Sequence, residues 1–158
     1  LFHSTCGGTT LASEDVFGHA VPYLRERDCR WCRDSRRFRW TARFDERELS
    51  EVLTKAGLSR GFRRIERDSE SARLRLIDHD GGRDLRPESL RAALGTTRLF
   101  SATFSVAPDG DGFLFTGRGF GHRVGMCQWG ARGMALEGRD YREIILHYFR
   151  GAELARAY

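Results

Sequence analysis

The 158-residue sequence lacks several features that mark specialised classes of protein. It has no apolar run of 18 residues, so we expect no membrane span within it. It shows no signal peptide, internal repeat or low-complexity linker. Because it opens directly on the apolar pair Leu1-Phe2 and then a motif, we interpret it as a fragment of a longer protein. For a fragment, a missing signal says little about location.

Lysine is almost absent, because Lys55 is the single lysine among 27 basic residues. The net charge is +5 and the sequence pI is about 9.4. Such an arginine bias is also what genome base composition produces. Physically, the charge favours polyanionic partners, and both nucleic acid and anionic cell-wall polymers qualify. Charge alone does not choose between them.

What is present is an ordinary globular composition, 40% hydrophobic and 31% charged, which predicts one domain over residues 1–158 with a real core. Hydrophobic periodicity and turn residues predict hairpins interleaved with helices. The expected fold class is therefore α+β: a single mixed domain of short strands or hairpins and several helices around a glycine-rich groove. The predicted strands are 1–5, 40–44, 62–67, 72–79, 100–106 and 113–116, and the predicted helices are 14–17 (capped by Ser13), 46–56, 87–94, 126–136 and 141–149.

The segment from Gly117 to Ala135, GRGFGHRVGMCQWGARGMA, is the most informative part of the chain. Its six glycines permit positive φ and close approach of the backbone to a ligand, at an entropic cost. Loops that bind or catalyse are a common reason to accept that cost. His122, Cys127 and Gln128 lie where this loop is predicted to run into a helix.

Two short-spaced pairs supply candidate metal ligands. His3 and Cys6 are spaced H-x2-C, and Cys29 and Cys32 are spaced C-x2-C. Four nitrogen and sulfur ligands suit a structural, tetrahedral Zn²⁺. The alternatives are a disulfide, joining Cys6 to Cys29 or Cys32 or joining the latter two, and free thiols. Cys127 is interpreted separately, as a packed residue at a helix start or as a thiol made reactive by that position.

These motifs resemble the SpoIID/LytB family of cell-envelope proteins. The segment 117–135 is similar to the C-terminal motif of that family. The block 3–10, HSTCGGTT, resembles a second family motif together with Val16-Phe17-Gly18 and Pro22-Tyr23-Leu24. The block 141–149, YREIILHYF, followed by Gly151, resembles a third. The blocks occur in family order and span nearly the whole chain.

The resemblance implies a peptidoglycan lytic transglycosylase, which cuts the MurNAc–GlcNAc bond and leaves a 1,6-anhydro-MurNAc end. It implies an extracytoplasmic location in the cell envelope. It implies peptidoglycan glycan strands as partners, and other cell-wall or sporulation proteins beside them. It also implies zinc bound partly through His3. In the family the catalytic glutamate precedes the HSTCGGTT block, so we expect it upstream of this chain and assign no catalytic residue within it.

Five residues are candidates for binding the glycan. Ser4 and Thr5 can hydrogen-bond sugar hydroxyls or the acid, and Arg118 can meet a carboxylate or lactyl group. His122 can orient substrate or tune the acid, and Gln128 offers a donor and an acceptor to an acetamido group. In the simpler alternatives, His122 satisfies buried carbonyls and Gln128 caps the loop.

Two other functions remain open at this point. The first is a non-catalytic module that binds or scaffolds cell-wall glycan through the same groove. The second is a zinc-stapled nucleic-acid binder, permitted by the basic and aromatic stretch 30–40. No nucleic-acid motif fits the chain, and the glycine-rich segment stays unexplained by this alternative. We therefore expect no nucleic-acid partner.

Overall fold

A computed structural model describes residues 1–67 and 73–155 of the chain. The chain divides into two compact units. The first, here called the terminal unit, comprises Leu1–Phe38 and Gly119–Tyr158. The second, here called the central unit, comprises Arg39–Arg118.

Helices are interleaved with single strands and groups of strands along the described part of the chain. In order, the elements are β1 (Phe2–His3), α1 (Ser13–Phe17), β2 (Arg39–Asp45), α2 (Glu46–Lys55), β3 (Phe62–Glu66), β4 (Leu74–Asp78), β5 (Gly81–Leu85), α3 (Pro87–Leu94), β6 (Phe104–Asp109), β7 (Gly112–Arg118), β8 (Met126–Cys127), α4 (Gln128–Leu136) and α5 (Tyr141–Tyr148), with a 3₁₀ turn at Arg30–Cys32.

The central unit contains two antiparallel three-stranded sheets, in the orders β2-β7-β6 and β3-β4-β5. In β2, Trp40 and Phe44 point inward while their neighbours are exposed, the period-two pattern of a half-buried strand. Helix α2 begins where the Asp45 carboxylate accepts a hydrogen bond from the Glu48 amide at 2.7 Å. Both sheets and helices α2 and α3 contribute side chains to one buried core.

The terminal unit has a smaller core of different character. Its strands are short: β1 pairs with β8 in parallel over two residues. Helix α5 begins at a capping box, in which Asp140 and Glu143 satisfy each other's backbone amides. Its core consists of the four cysteines with Met134, Ile144 and Tyr148. Sulfur, rather than aliphatic carbon, therefore occupies the middle of this unit.

The structure confirms the predicted α+β class, since helices and strands occur in both units. Two local predictions are corrected: Met126 and Cys127 form strand β8 rather than helix, and Ser13 is the first residue of α1 rather than its cap. Residues 81–85, for which no strand was predicted, form strand β5. Residue 72, where one strand was predicted to begin, lies outside the described residues. Among those described, no helix has the length and apolarity needed to cross a membrane.

Candidate functional site

The glycine-rich segment and the N-terminal block pair with each other along the backbone. Thr5 and Phe120 exchange two hydrogen bonds, at 3.1 and 2.7 Å between nitrogen and oxygen. Farther along, the Leu11 amide donates to the Arg123 carbonyl at 2.8 Å. Two sequence motifs separated by more than a hundred residues therefore form one continuous structure.

Three glycines make this pairing possible. Gly119, Gly121 and Gly125 all have positive φ, the region that glycine adopts without strain. An added Cβ at Gly119 would lie 2.8 Å from the Thr5 carbonyl oxygen, and one at Gly125 would lie 2.6 Å from the Leu1 carbonyl oxygen. The backbone to which these glycines come close is thus the chain's own N-terminal block.

Beside this pairing lies a buried cluster of four cysteines. The sulfur atoms of Cys6, Cys29, Cys32 and Cys127 all lie within 4.8 Å of one another. Those of Cys6 and Cys32 are 3.4 Å apart. All four residues have zero solvent exposure, and all four are free cysteines in the structure. Four thiols at this separation can hold a metal ion.

Each cysteine is positioned by a local structural feature of its own segment. Cys6 precedes a two-glycine turn, and the Gly8 carbonyl accepts a hydrogen bond from the Cys29 amide at 2.8 Å. Cys32 ends the 3₁₀ turn that Cys29 precedes. Cys127 is the N-cap of α4, where its sulfur accepts a hydrogen bond from the Gly130 amide at 3.3 Å.

Two further glycines, both in α4, leave room for the cluster. A Cβ on Gly130 would overlap the Tyr148 hydroxyl oxygen and the Cys29 sulfur, and one on Gly133 would overlap the Trp31 carbonyl oxygen. Glycine inside a helix costs about 1 kcal/mol relative to alanine. Here that cost has a specific cause, since the helix must approach the 29–32 turn closely.

The sulfur atoms interact strongly with each other and with hydrogen-bond donors. Hydrogen bonding to Cys127 raises the pKa of Cys6 above its usual range and lowers the pKa values of Cys29 and Cys32. Burial raises the pKa of Tyr148, which therefore stays protonated. Its hydroxyl lies 3.1 Å from the Cys29 sulfur and can donate to it. Such an arrangement favours thiolate on some cysteines, which is the form that binds metals.

The structure brings together three of the four predicted metal ligands, namely Cys6, Cys29 and Cys32. The fourth member of the cluster is Cys127, and His3 is not part of the group. His3 is buried, and its Nδ1 lies 3.1 Å from the Val124 carbonyl oxygen. Burial lowers the pKa of His3 from 6.5 to about 4, so its ring is neutral at neutral pH.

The interpretation of Cys127 as separate from the other thiols is therefore corrected. It begins a helix, as expected, but its sulfur joins the cluster. A signal was available in the sequence. The chain has four cysteines in all, which is the number of thiolates that a tetrahedral Cys₄ zinc site requires.

The predicted glycan-binding residues lie in different environments. Thr5 is fully buried, and its hydroxyl hydrogen-bonds that of Ser35 at 2.7 Å, which favours a structural role. His122 is half-buried; its Nδ1 accepts from the Val124 amide and its Nε2 donates to the Phe2 carbonyl, both at 3.1 Å. The simpler alternative for His122, satisfaction of backbone groups, thus describes its contacts. Glycan binding by either residue stays a prediction.

The other three candidates are more accessible. Ser4 is half-buried, and its carbonyl accepts from the Trp129 amide at 3.1 Å. Gln128 is exposed at the first position of α4, and Arg118 is exposed at the end of β7 in the central unit. Exposure leaves the side chains of Gln128 and Arg118 open to a ligand.

The fold and site define a class of protein: an α+β chain whose glycine-rich segment pairs with its N-terminal block and contributes one thiol to a buried cysteine cluster. No protein-family model matches the chain. It is 35% identical over 156 residues to an uncharacterised protein of Brachyspira hyodysenteriae, covering 97% of this chain and 42% of that protein. It is 32% identical over 157 residues to the stage II sporulation protein D of Bacillus subtilis, covering 99% of this chain and 45% of that protein. A shorter match, 35% over 65 residues, joins 41% of this chain to 9% of the B. subtilis amidase enhancer.

The chain belongs to the SpoIID family, that of the stage II sporulation protein D, as its motifs indicated. It spans less than half the length of the relatives that it matches over nearly its whole extent. One of these relatives is named for stage II of sporulation and another is named as an amidase enhancer.

Proposed function

We propose that this chain is part of a peptidoglycan lytic transglycosylase that acts outside the cytoplasm, in the cell envelope. The observation that supports this most directly is the pairing of the two motif blocks, Thr5 with Phe120 and Leu11 with Arg123. Four of the five candidate residues, Ser4, Thr5, His122 and Gln128, lie in the terminal unit, and Arg118 belongs to the central unit. The partners proposed are glycan strands and other cell-wall or sporulation proteins.

The proposed reaction needs one carboxylic acid, a glutamate expected in the sequence before His3. The acid protonates the glycosidic oxygen as the C1–O bond of MurNAc breaks. The resulting carboxylate then takes the proton from the 6-hydroxyl of the same sugar while that oxygen attacks C1. No water enters, so the second carboxylate of a hydrolase is not required.

The residues present in this chain would bind and orient the glycan. Gln128, exposed at the start of α4, offers an amide donor and acceptor to an acetamido group. His122, with Nε2–H directed at the Phe2 carbonyl, holds the glycine-rich segment in place and presents its ring beside Phe17, at 5.7 Å between ring centroids. Arg118 offers a cation to a lactyl or peptide carboxylate.

Mass spectrometry of products from denuded glycan strands tests the proposal. The chain is compared with a longer version that restores its upstream sequence, and with that longer version carrying Gln128→Ala. Anhydro-MurNAc products are expected from the longer version alone, and fewer with the substitution. Products from neither form would contradict the enzyme proposal.

The second candidate is a wall-binding module without turnover, supported by the exposed polar residues just named. It predicts co-sedimentation with glycan strands and no anhydro products from any version. A matching binding assay on the same samples separates the two functions, because only an enzyme shortens the strands.

We further propose that the cysteine cluster binds one structural Zn²⁺. The donor set fits this ion: four buried sulfur atoms within 4.8 Å of one another, with hydrogen-bond donors beside them. When bound, the ion supplies a cross-link between chain segments, with no role in bond cleavage. The residues Cys6, Cys29 and Cys32, on two separate segments, would be held together by it.

Elemental analysis of the purified protein checks this, with about one zinc per chain as the expected result. The competing disulfide predicts no zinc and fewer than four titratable thiols in denatured protein. A result of four titratable thiols and no zinc would contradict both the zinc proposal and the disulfide alternative.

A further inference from the structure

We infer that the metal centre is a closed tetrathiolate site in which Cys127, at the start of α4, is the fourth ligand and His3 is not a ligand. This inference rests on the proposed zinc and names the atoms that would hold it. It differs from the ligand set predicted from sequence spacing, in which His3 is a ligand together with Cys6 and Cys127 is not a ligand.

The separation of the sulfur atoms is the first argument. Sulfur atoms about 2.3 Å from a zinc ion at tetrahedral corners lie about 3.8 Å from each other. The four sulfurs here lie within 4.8 Å of one another, and the Cys6–Cys32 pair at 3.4 Å. A regular tetrahedron therefore requires no sulfur–sulfur separation to change by more than about 1 Å.

The hydrogen bonds to Cys127 are the second argument. Its sulfur accepts from the amides of Cys6 and Gly130, both at 3.3 Å. Two N–H donors on one sulfur suit a thiolate far better than a thiol, which is a weak acceptor. The sulfur also caps a nine-residue helix, where the helix dipole favours negative charge. Both amides would continue to donate to the sulfur when it binds a metal as a thiolate.

The position of His3 is the third argument. Its Nδ1 is engaged with the Val124 carbonyl oxygen at 3.1 Å, and its Nε2, the remaining ligand atom, is not among those gathered in the cluster. In the parallel pairing of β1 with β8, the Cα partner of His3 is Cys127. The strand pairing thus aligns the backbones of the two candidates, while only the side chain of Cys127 enters the cluster.

A fourth thiolate closes the site. With four protein ligands no position is left for water or substrate, which makes the centre structural. Tyr148 then acts as a positioning residue, because its buried hydroxyl can donate to the Cys29 sulfur. The centre joins the N-terminal block, the 29–32 turn and the start of α4, so the metal fixes the helix that carries Gln128.

X-ray absorption spectroscopy of the zinc-loaded wild-type chain tests the inference without any substitution. Four sulfur neighbours at about 2.3 Å are expected, whereas a site completed by His3 gives three sulfurs and one nitrogen at about 2.0 Å. Replacement of zinc by Co²⁺ gives a second readout, because the intensity of the thiolate-to-cobalt charge-transfer band increases with the number of thiolate ligands.

Two matched variants extend the test. Cys127→Ser is expected to lose most of its zinc or to bind it at least about 10-fold more weakly, and His3→Asn to keep about one zinc per chain with an unchanged cobalt spectrum. The inference is overturned if the spectrum shows three sulfurs and one nitrogen around zinc and if His3→Asn loses the ion. The zinc proposal itself would still stand in that case. A wild-type chain that binds neither ion overturns both.

Discussion

At the scale of single residues, the surroundings of a few buried groups determine the behaviour of the terminal unit. His3 is 4% exposed, and burial keeps its ring neutral well below the pH at which histidine usually gains a proton. Gly130 sits where any side chain would meet the cysteine cluster. Each of these positions gives a measurable consequence.

Acid should destabilise the protein through His3. The pKa is about 4 in the folded state and 6.5 as the ordinary value, so the unfolded state binds more protons between these pH values. The stability that His3 contributes is therefore complete above pH 6.5 and is lost as pH falls toward 4. By linkage this amounts to roughly 3 kcal/mol.

The measurement is the free energy of unfolding in urea at several pH values for the wild type and His3→Asn. Asparagine keeps a donor for the Val124 carbonyl but does not titrate in this range. The two pH profiles should differ by a slope confined to the window between pH 4 and 6.5. Parallel profiles across that window would show that His3 is not held neutral by burial.

Gly130→Ala should disrupt the cysteine cluster. The added methyl group overlaps the Tyr148 oxygen and the Cys29 sulfur, and overpacking of this kind costs about 1–3 kcal/mol. Thermal denaturation and zinc content should both fall. Ala135→Ser, at an exposed position of the same helix, is the control, because its added atom lies on the side open to solvent. The prediction is wrong if the control loses as much zinc as Gly130→Ala.

The residues of the site were only partly predictable from the sequence. The spacing of Cys29 and Cys32 correctly indicated neighbouring thiols, because a two-residue gap forms a tight turn. The contribution of Cys127 depends on the pairing of β1 with β8, a contact between residues more than a hundred positions apart that spacing does not encode. The contact of the His3 ring with the Val124 carbonyl likewise joins residues that are far apart in sequence.

At the scale of helices and strands, local capping chemistry sets the ends of the elements. Asp45 begins α2 and Asp140 begins α5, each through a hydrogen bond from an amide three residues on. Helix α5 carries Tyr148, so its start matters to the cluster as well. The predictions of these helices from the sequence are confirmed, since a capping residue and an apolar face act locally.

Asp140→Ala should destabilise α5 by about 1 kcal/mol, the usual cost of losing an N-cap side chain. Asp140→Asn, which retains an oxygen acceptor for the Glu143 amide, should cost much less. Urea unfolding of both variants beside the wild type provides the comparison. Equal losses in the two variants would indicate that charge, rather than the hydrogen bond, stabilises the cap.

Elements fixed by distant partners were harder to predict. Strand β5 is exposed along most of its length and begins with two glycines, so its sequence resembles a turn. It is a strand because it pairs with β4 in register from Leu74–Leu85 to Asp78–Gly81. Strand β8 is likewise a strand because it pairs with β1. Pairing partners, rather than propensity, determined both elements.

At the scale of the whole molecule, the two units have cores of different chemistry. The central unit is built around aromatic and aliphatic side chains of consecutive sequence. The terminal unit is drawn from both ends of the chain and is centred on sulfur. Loss of the proposed metal should therefore affect the two units unequally.

Hydrogen exchange of the intact chain, with and without a zinc chelator, should reveal this difference. Chelation is expected to reduce amide protection in residues 1–38 and 119–155 and to leave the protection of 39–67 and 73–118 largely unchanged. Added zinc should restore the loss. A uniform loss of protection throughout the described chain would contradict separate cores.

The terminal unit is formed by two sequence segments that are synthesised at different times. Cys6, Cys29 and Cys32 emerge early, whereas Cys127 emerges after the whole central unit has been made. A truncated product that stops before residue 127 has three of the four thiols and lacks α4. Under the four-thiolate assignment, only a chain synthesised past that point can complete the metal site and so protect its thiolates from oxidation. The cluster thus distinguishes chains that extend past residue 127 from shorter ones.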